Sequence, residues 1–169
     1  MKIFSTKLPS FITNVDDKLY RGRAISCPYR LYSLKKNGIN QVIDLRNSFS
    51  FTKYMEKFFC KILGIKYINC KYKHRLKKIP NEEFFLNIKN LILMNKSKTY
   101  LHCQKGKRRT GFLAAYYEKN VMHLPDKDIL NNLINLGYND IKVGSKAKNK
   151  YFNILSEFID KYLPETKNT

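Results

Sequence analysis

The stretch that decides the fold of this chain is residues 99–111, TYLHCQKGKRRTG. Residues 99–102 have the composition of a short strand, and residues 109–121 have the spacing of a helix. Between them lies a basic segment that begins with Cys103. The sequence therefore predicts a strand that ends at a compact basic loop, followed directly by a helix.

Outward from this stretch, short apolar runs alternate with segments of helical spacing. The predicted strands are Leu19–Arg21, Gln41–Arg46, Lys66–Cys70 and Thr99–His102. The predicted helices are residues 28–36, 51–63, 80–94, 109–121, 126–136 and 148–163. This order predicts an α/β fold, with a mostly parallel central sheet flanked by helices. Ligands of such sheets bind beyond the carboxyl ends of the strands, where residues 103–109 fall.

Length and composition predict one folded domain. The chain has 169 residues, enough for one hydrophobic core and few for two, and 43% of them are hydrophobic. We therefore expect a single domain over residues 1–169, with a core of roughly residues 18–163. A short amino-terminal arm precedes this core, and a frayed tail is expected from Pro164 onward.

The charge of the chain favours anionic partners. Lys and Arg number 33 against 13 Asp and Glu, which gives a formal net charge of +20, and the excess runs along the whole chain. Such a field attracts phosphorylated proteins, inositol phosphates, RNA or an acidic membrane surface, without choosing among them. The alternative interpretation is a compositional bias toward lysine that has no functional meaning.

The cysteines and the amino terminus indicate a cytoplasmic protein. No Cys-x-x-Cys spacing or His/Cys cluster is present, so the sequence predicts neither a zinc site nor a disulfide framework. Residues 1–14 lack the apolar core of a secretion signal, and no stretch approaches the ~20 apolar residues of a membrane span. The four cysteines are Cys27, Cys60, Cys70 and Cys103.

Cys103 and the residues after it have the chemistry of a phosphate-binding loop. A cysteine acts as a nucleophile through its thiolate, which a helix N-terminus and nearby cations stabilise, and Cys103 has both available. Backbone N–H groups of the loop can point inward at phosphate oxygens, and Gly106 permits a close backbone approach. Arg109 can hold two oxygens with its guanidinium and stabilise a phosphoryl group in transfer.

These residues predict attack by Cys103 on phosphorus, which gives a phosphocysteine that water then hydrolyses. Thr110 is expected to assist the second step by donating a hydrogen bond from its hydroxyl to the sulfur. His102 is expected to orient the loop and not to accept a proton. The scheme needs no metal ion and no cofactor.

The pattern His-Cys-x5-Arg-Thr-Gly at residues 102–111 resembles the signature of the protein tyrosine phosphatase superfamily and is most similar to its small dual-specificity branch. Residues 19–22 (LYRG) and 38–46 (GINQVIDLR) resemble compact bacterial and fungal members in order and spacing, as does the helix start at residues 110–116. The resemblance covers roughly residues 18–160. It implies a dual-specificity phosphatase-like fold and a phosphoric monoester hydrolase that acts on phosphotyrosine or phosphoproteins.

The loop also resembles those of superfamily members that act on inositol phosphates, including inositol pyrophosphatases and phosphoinositide 3-phosphatases. This resemblance implies that its basic side chains meet additional phosphates of the substrate. An alternative interpretation of the lysines is the basic bias of the whole chain. The expected substrate-binding residues are Gln104, Lys105, Gly106, Lys107 and Arg108.

The family usually supplies a general acid as an aspartate after the third strand, and this chain departs from that pattern. Residues 71–80 read KYKHRLKKIP and contain no Asp. His74 is a candidate proton donor, and an exposed loop histidine is the alternative interpretation. Glu82 and Glu83 are expected to serve as favourable charges in the first turn of a helix.

The missing aspartate leaves three alternatives open. The enzyme is slow, or its leaving group needs no proton, or the chain binds phosphate ligands without hydrolysing them. RNA 5′-triphosphatases of the superfamily resemble this chain in lacking the acid, and a basic surface suits RNA. The alternatives to a phosphomonoesterase are therefore an RNA 5′-triphosphatase and a catalytically weak phosphate-binding module.

Residues outside the loop are expected to support it. Asp44 and Arg46 at a strand end are expected to form an internal ion pair. Cys60 or Cys70 is a candidate for a reversible disulfide with Cys103, as in some relatives, and inert buried thiols are the alternative.

Overall fold

The computed structural model describes residues 7–72, 79–137 and 146–167. In these ranges the chain forms five strands and six α-helices, which alternate over most of its length. The strands are β1 (Thr13–Asn14), β2 (Leu19–Arg23), β3 (Ile39–Asp44), β4 (Lys66–Asn69) and β5 (Lys98–Cys103). The helices are α1 (Pro28–Lys36), α2 (Phe51–Ile62), α3 (Glu82–Leu93), α4 (Arg108–Asn120), α5 (Asp126–Gly137) and α6 (Lys146–Tyr162).

The strands form one sheet in the order β1-β2-β5-β3-β4. Four of them run parallel, and β1 pairs with β2 antiparallel at one edge. Strand β5 is the central strand, with Arg23 of β2 opposite Cys103 and Asp44 of β3 opposite His102. The carboxyl ends of three neighbouring parallel strands therefore meet at the same edge of the sheet.

Helices cover both faces of the sheet, because successive side chains of a buried strand point to opposite faces. One face packs Leu19, Ile43 and Leu101 against α3, α4, α5 and α6. The other face packs Tyr20, Val42 and Tyr100 against residues of α1 and α2. The predicted α/β fold with a mostly parallel sheet between helices is confirmed.

The ends of the helices follow the local rules that the sequence predicts. Gly38 and Gly64, just after α1 and α2, have φ of 81° and 63°, the left-handed region that favours glycine at a helix end. Ser50 and Asn81 cap α2 and α3, each accepting a hydrogen bond from the backbone N–H three residues on. Helix α3 therefore begins after Asn81, two residues later than the prediction that Pro80 opens it.

Two features at the ends of the chain differ from the prediction. Strand β1 is too short for an alternating pattern to reveal it, and the backbone pairing with β2 alone defines it. Residues Pro164–Lys167 form a 3₁₀ turn instead of a frayed tail. Because the buried Asp126 accepts a hydrogen bond from the Glu165 N–H at 3.1 Å, this part of the tail is attached to α5.

Within the described ranges, no helix has both the length and the apolar character that crossing a bilayer requires.

Candidate active site

Cys103 lies where the central strand ends. It is the last residue of β5, and α4 begins five residues later at Arg108. Its side chain is only 4% exposed. The phosphate loop, residues 103–109, therefore lies beyond the carboxyl end of a central parallel strand and leads into a helix N-terminus, where the helix dipole favours an anion.

Donors from outside the phosphate loop engage its carbonyl groups. The buried guanidinium of Arg21 donates from Nη2 to the carbonyl oxygens of Gly106 and Lys107, both at 3.3 Å. The Ala24 N–H donates to the Gln104 carbonyl at 3.3 Å. These carbonyl oxygens are thereby occupied, which reduces the negative potential that the loop backbone presents to a bound anion.

Gly106 lets the loop approach strand β2 closely. Gly106 has φ of 71°, and a Cβ added there would lie 2.3 Å from the carbonyl carbon of Gly22. Gly22 also lacks room for a side chain, because a Cβ added there would lie 2.4 Å from the Tyr100 hydroxyl oxygen. The structure therefore places the predicted Gly106 at a close backbone contact, which a larger residue would disrupt.

Arg109 and Thr110 lie in the first turn of α4. The Arg109 guanidinium donates from Nη1 to the Leu45 carbonyl at 3.2 Å, which holds the side chain between the loop and the end of β3. The Thr110 hydroxyl is fully buried and has no hydrogen-bond partner in the described part of the chain. A buried hydroxyl without a partner can still form a hydrogen bond with a group that is bound in the loop.

His102 lies beneath the loop and is completely buried. Its Nδ1 is 3.2 Å from the Cys103 carbonyl oxygen, and its Nε2 is 3.2 Å from Oε1 of Glu56. Burial lowers the pKa of His102 to about 4, although the carboxylate of Asp44 opposes this shift. An imidazole with this lowered pKa is a weak base, and its Nδ1 lies within hydrogen-bond distance of the loop backbone.

An ion-pair network surrounds this histidine. Arg46 pairs through Nε with Asp44 at 2.9 Å and through Nη2 with Glu56, and all three side chains are buried. The predicted Asp44–Arg46 ion pair is therefore confirmed. Burial raises the pKa of Glu56 to about 8, although the Arg46 charge opposes the shift. Hydrogen bonds from Arg46 and Tyr67 hold the pKa of Asp44 below its usual value, against the effect of burial.

Asp44, Glu56 and His102 approach each other as metal ligands would, with one ligand atom of each within 4.8 Å of the others. The Arg46 guanidinium, however, already bridges the two carboxylates. Since its positive charge occupies the place that a cation would take, the cluster fits an internal ion-pair network and not a metal site.

A basic cavity adjoins the phosphate loop. Its volume is about 550 Å³, and Arg23, Arg30, Lys105 and Lys107 contribute four cations to its lining, beside Gln104. The guanidinium carbons of Arg23 and Arg30 lie 4.2 Å and 5.4 Å from the ring centroid of Phe11. Arg108, in contrast, does not line this cavity.

The candidate general acids are only partly described. His74 lies outside the described residues. Glu82 and Glu83 are exposed in the first turn of α3, where favourable charges were expected.

The two candidate disulfide partners of Cys103 lie on different faces of the sheet. All four cysteines are reduced. Cys60 belongs to the core on the face of the sheet opposite to the core that includes Cys103, whereas Cys70 packs on the same side. Burial raises the pKa of Cys60 to about 12 and also raises that of Cys70. Both thiols are therefore protonated at neutral pH and poorly reactive.

Sequence reasoning missed two residues that support the loop. Arg21 appeared there only as part of a resembling segment, and Glu56 was not singled out. The sequence carried only a weak signal for them, an arginine in a predicted strand and a glutamate in an aromatic-rich helix. Either side chain is costly to bury without a partner, so a buried position for it would have implied a contact with another group. Gly106, the partner of Arg21, lies 85 positions later in the sequence, and His102, a neighbour of Glu56, lies 46 positions later.

Comparison with known proteins identifies the fold. No family model and no curated protein matches this sequence. Among solved structures, the chain is similar to the core catalytic domain of the PP-IP phosphatase SIW14 from S. cerevisiae, with a TM-score of 0.69 and 16% identity over 94% of this chain and 88% of that one. PTPMT1 matches with a TM-score of 0.63 and 16% identity over 94% and 99% of the two chains.

TpbA from P. aeruginosa is similar with a TM-score of 0.62 and 13% identity over 88% of this chain and 91% of that one. At such low identities the likeness establishes the shared fold. The chain thus has the dual-specificity phosphatase-like fold that the loop signature implies.

Proposed function

We propose that this chain is a cysteine-dependent phosphatase, with Cys103 as the nucleophile and Arg109 and the loop amides as its phosphate-binding groups. The position of Cys103 carries the proposal, because this residue joins the central strand to a loop that leads into a helix N-terminus. Arg21 and Ala24 engage the loop carbonyls, which leaves the backbone N–H groups as the natural contacts of an anion.

The reaction proceeds in two displacements. In the first, the sulfur of Cys103 bonds to phosphorus while the bond to the leaving oxygen breaks, and the leaving group takes the electron pair. In the second, water attacks phosphorus, the sulfur–phosphorus bond breaks, and inorganic phosphate departs from the restored thiolate. Arg109 stabilises the charge on the phosphoryl oxygens in both steps. The buried Thr110 hydroxyl donates a hydrogen bond to the departing sulfur and so stabilises the thiolate.

As substrate class we propose a small molecule with several phosphate groups, such as an inositol pyrophosphate. The basic cavity beside the loop supports this choice, since Arg23, Arg30, Lys105 and Lys107 can meet phosphates other than the one that reacts. SIW14, which shares the fold, is a PP-IP phosphatase, and this agrees with the proposed class. A phosphoanhydride also suits a chain whose residues 71–80 contain no Asp, because its leaving group is a phosphate that departs without a proton.

Phosphotyrosine is the second candidate substrate. TpbA, which shares the fold, has been crystallised in complex with pTyr. A single phosphate group would use the phosphate loop alone and leave the basic cavity beside it empty.

The test is phosphate release by wild type, Cys103→Ser and Cys70→Ser from four substrates: 4-nitrophenyl phosphate, a phosphotyrosyl peptide, an inositol pyrophosphate and RNA with a 5′-triphosphate. We expect release by wild type and Cys70→Ser, highest kcat/KM for the pyrophosphate, and a loss of at least about a thousandfold in Cys103→Ser. Wild-type turnover by Cys103→Ser would refute the proposal.

The remaining outcomes identify the alternatives. Saturable binding of the pyrophosphate with no release from any substrate would indicate a phosphate-binding module. Highest activity on the RNA, with a steep decrease as salt rises, would indicate an RNA 5′-triphosphatase.

A further inference from the structure

Helix α2 carries large apolar side chains on its exposed side as well as on its core-facing side. Phe59 and Cys60 pack on the core, and Glu56 is completely buried beside them. Phe51, however, is 74% exposed, Tyr54 57%, and Ile62 63%. An amphipathic helix on a domain surface normally presents polar side chains to solvent, so this exposed apolar side is unusual.

The exposed side chains form one continuous surface. Positions 51, 54, 58 and 62 follow the three- and four-residue spacing that places side chains on a single side of a helix. Phe49, which is 92% exposed, precedes the N-cap and extends the row beyond the helix. We refer to Phe49, Phe51, Tyr54, Phe58 and Ile62 as the apolar stripe.

Lysines accompany the stripe. Lys53, Lys57 and Lys61 recur every four residues along α2, and Lys57 and Lys61 are exposed. The one acidic residue of the helix is Glu56, which is buried. The exposed surface of α2 therefore combines large apolar side chains with positive charge only.

We propose that the apolar stripe docks the protein on an anionic membrane surface. Helices that lie in the lipid interface combine an aromatic and aliphatic face with flanking lysines, and each lysine near the surface gains from anionic headgroups. The net charge of +20 on the whole chain acts in the same direction. This inference concerns a surface apart from Cys103 and does not depend on the proposed phosphatase activity.

The size of the stripe favours a lipid surface over a protein partner. Its five side chains expose roughly 600 Å². A standard protein interface buries about 800 Å² on each partner, so the stripe alone is too small for one. Insertion into the headgroup region needs no complementary shape, and lipid can cover a narrow row of side chains.

Docking would also bring the phosphate loop near the membrane. Lys53 of α2 donates to the Arg46 carbonyl at 3.0 Å, and the preceding residue, Leu45, accepts a hydrogen bond from Arg109. The end of the stripe at Phe49 is three residues from Arg46. The amino-terminal end of α2 is thus tied to the edge of the sheet that carries the loop.

The test is co-sedimentation of the full chain with vesicles of phosphatidylcholine alone and with about 30 mol% phosphatidylserine. We expect binding to the anionic vesicles, and a decrease in partitioning of at least about tenfold in Phe51→Ser/Phe58→Ser. Lys57→Glu/Lys61→Glu should lose about as much, since two lysines become acidic. Met94→Ser, at an 82% exposed apolar residue after α3, is the matched control and should bind as wild type does.

Three results would overturn the proposal. The first is a wild type that binds neutral and anionic vesicles equally weakly, and the second is unchanged binding by Phe51→Ser/Phe58→Ser. The third is a wild-type dimer in light scattering that this double variant converts to a monomer, because a second copy would then cover the stripe. Circular dichroism of each variant checks that it is folded.

Discussion

At the scale of single residues, His102 and Glu56 face each other beneath the phosphate loop. Since the pKa of His102 is lowered to about 4, its ring carries one proton, which Nδ1 donates to the Cys103 carbonyl. Nε2 then carries no proton and lies 3.2 Å from Oε1 of Glu56. Burial raises the pKa of Glu56 to about 8, although its ion pair with Arg46 opposes the shift. Glu56 therefore keeps a proton to higher pH than an exposed glutamate does.

This pair predicts a pH dependence for Glu56→Gln. As pH rises from the ordinary carboxyl pKa of 4.5 to about 8, the unfolded chain loses a proton that folded Glu56 keeps, so the stability of wild type falls in this window. Glutamine keeps similar hydrogen bonds and does not titrate. We expect the stability of wild type relative to Glu56→Gln to decrease with rising pH, by up to about 1.4 kcal/mol per pH unit.

Urea denaturation of both proteins at several pH values between 5 and 8 measures this difference. His102, whose lowered pKa has the opposite effect on stability below its ordinary value of 6.5, is neutral in the folded and unfolded chains above that pH, so the upper part of the range reports Glu56 alone. Glu157→Gln, at an exposed position of α6, serves as the control. Parallel curves of stability against pH for wild type and Glu56→Gln would contradict the raised pKa of Glu56 in the folded chain.

At the scale of elements, the phosphate loop depends on its contact with strand β2. Arg21 and Ala24, within and just after β2, donate to loop carbonyls, and Gly22 provides the surface against which Gly106 packs. The loop conformation is therefore set by two elements that are distant in sequence, and not by the loop residues alone.

Gly106→Ala tests this dependence. The added Cβ would lie 2.3 Å from the Gly22 carbonyl, and a φ of 71° disfavours alanine, so the loop must move away from β2. We expect the affinity for orthovanadate, measured by calorimetry, to fall by about a hundredfold, because a displacement of about 1 Å misaligns the phosphate-binding groups.

Gly64→Ala is the matched control. Gly64 also has positive φ, but its nearest contact would be 3.7 Å away, at the flexible end of a lysine. This variant should lose about 1 kcal/mol of stability from backbone strain and retain the affinity for vanadate. Equal affinities of Gly106→Ala and wild type would show that β2 does not hold the loop.

At the scale of the whole molecule, the charge of +20 acts in two ways that can be separated. The distributed field speeds the encounter with any anion, whereas the basic cavity is proposed to hold particular phosphate groups of the substrate. Arg23 and Arg30 belong to the cavity, where both stack on Phe11. Guanidinium groups that are held in place lose less freedom when they bind a phosphate.

Two double variants that remove the same charge distinguish these effects. Arg23→Ala/Arg30→Ala should lower kcat/KM for an inositol pyrophosphate by roughly tenfold or more, and should change kcat/KM for 4-nitrophenyl phosphate by about twofold at most. Lys96→Ala/Lys127→Ala, at exposed positions away from the cavity, should affect both substrates alike and only slightly. Equal losses of kcat/KM for the inositol pyrophosphate in the two double variants would mean that the cavity does not bind phosphate groups of the substrate.

The sequence by itself determined the order of the four parallel strands and the six helices along the chain, and the position of the phosphate loop. These features depend on neighbouring residues: the periodicity of apolar side chains, the glycines after α1 and α2, and the spacing from Cys103 to Arg109. Only the tertiary structure decided which distant residues support the loop. Arg21 reaches Gly106 across 85 positions, and Arg46 pairs with Glu56, which is buried on the core-facing side of α2. The physical reason is that burying a charge requires a partner, and chain folding brings that partner from elsewhere in the sequence.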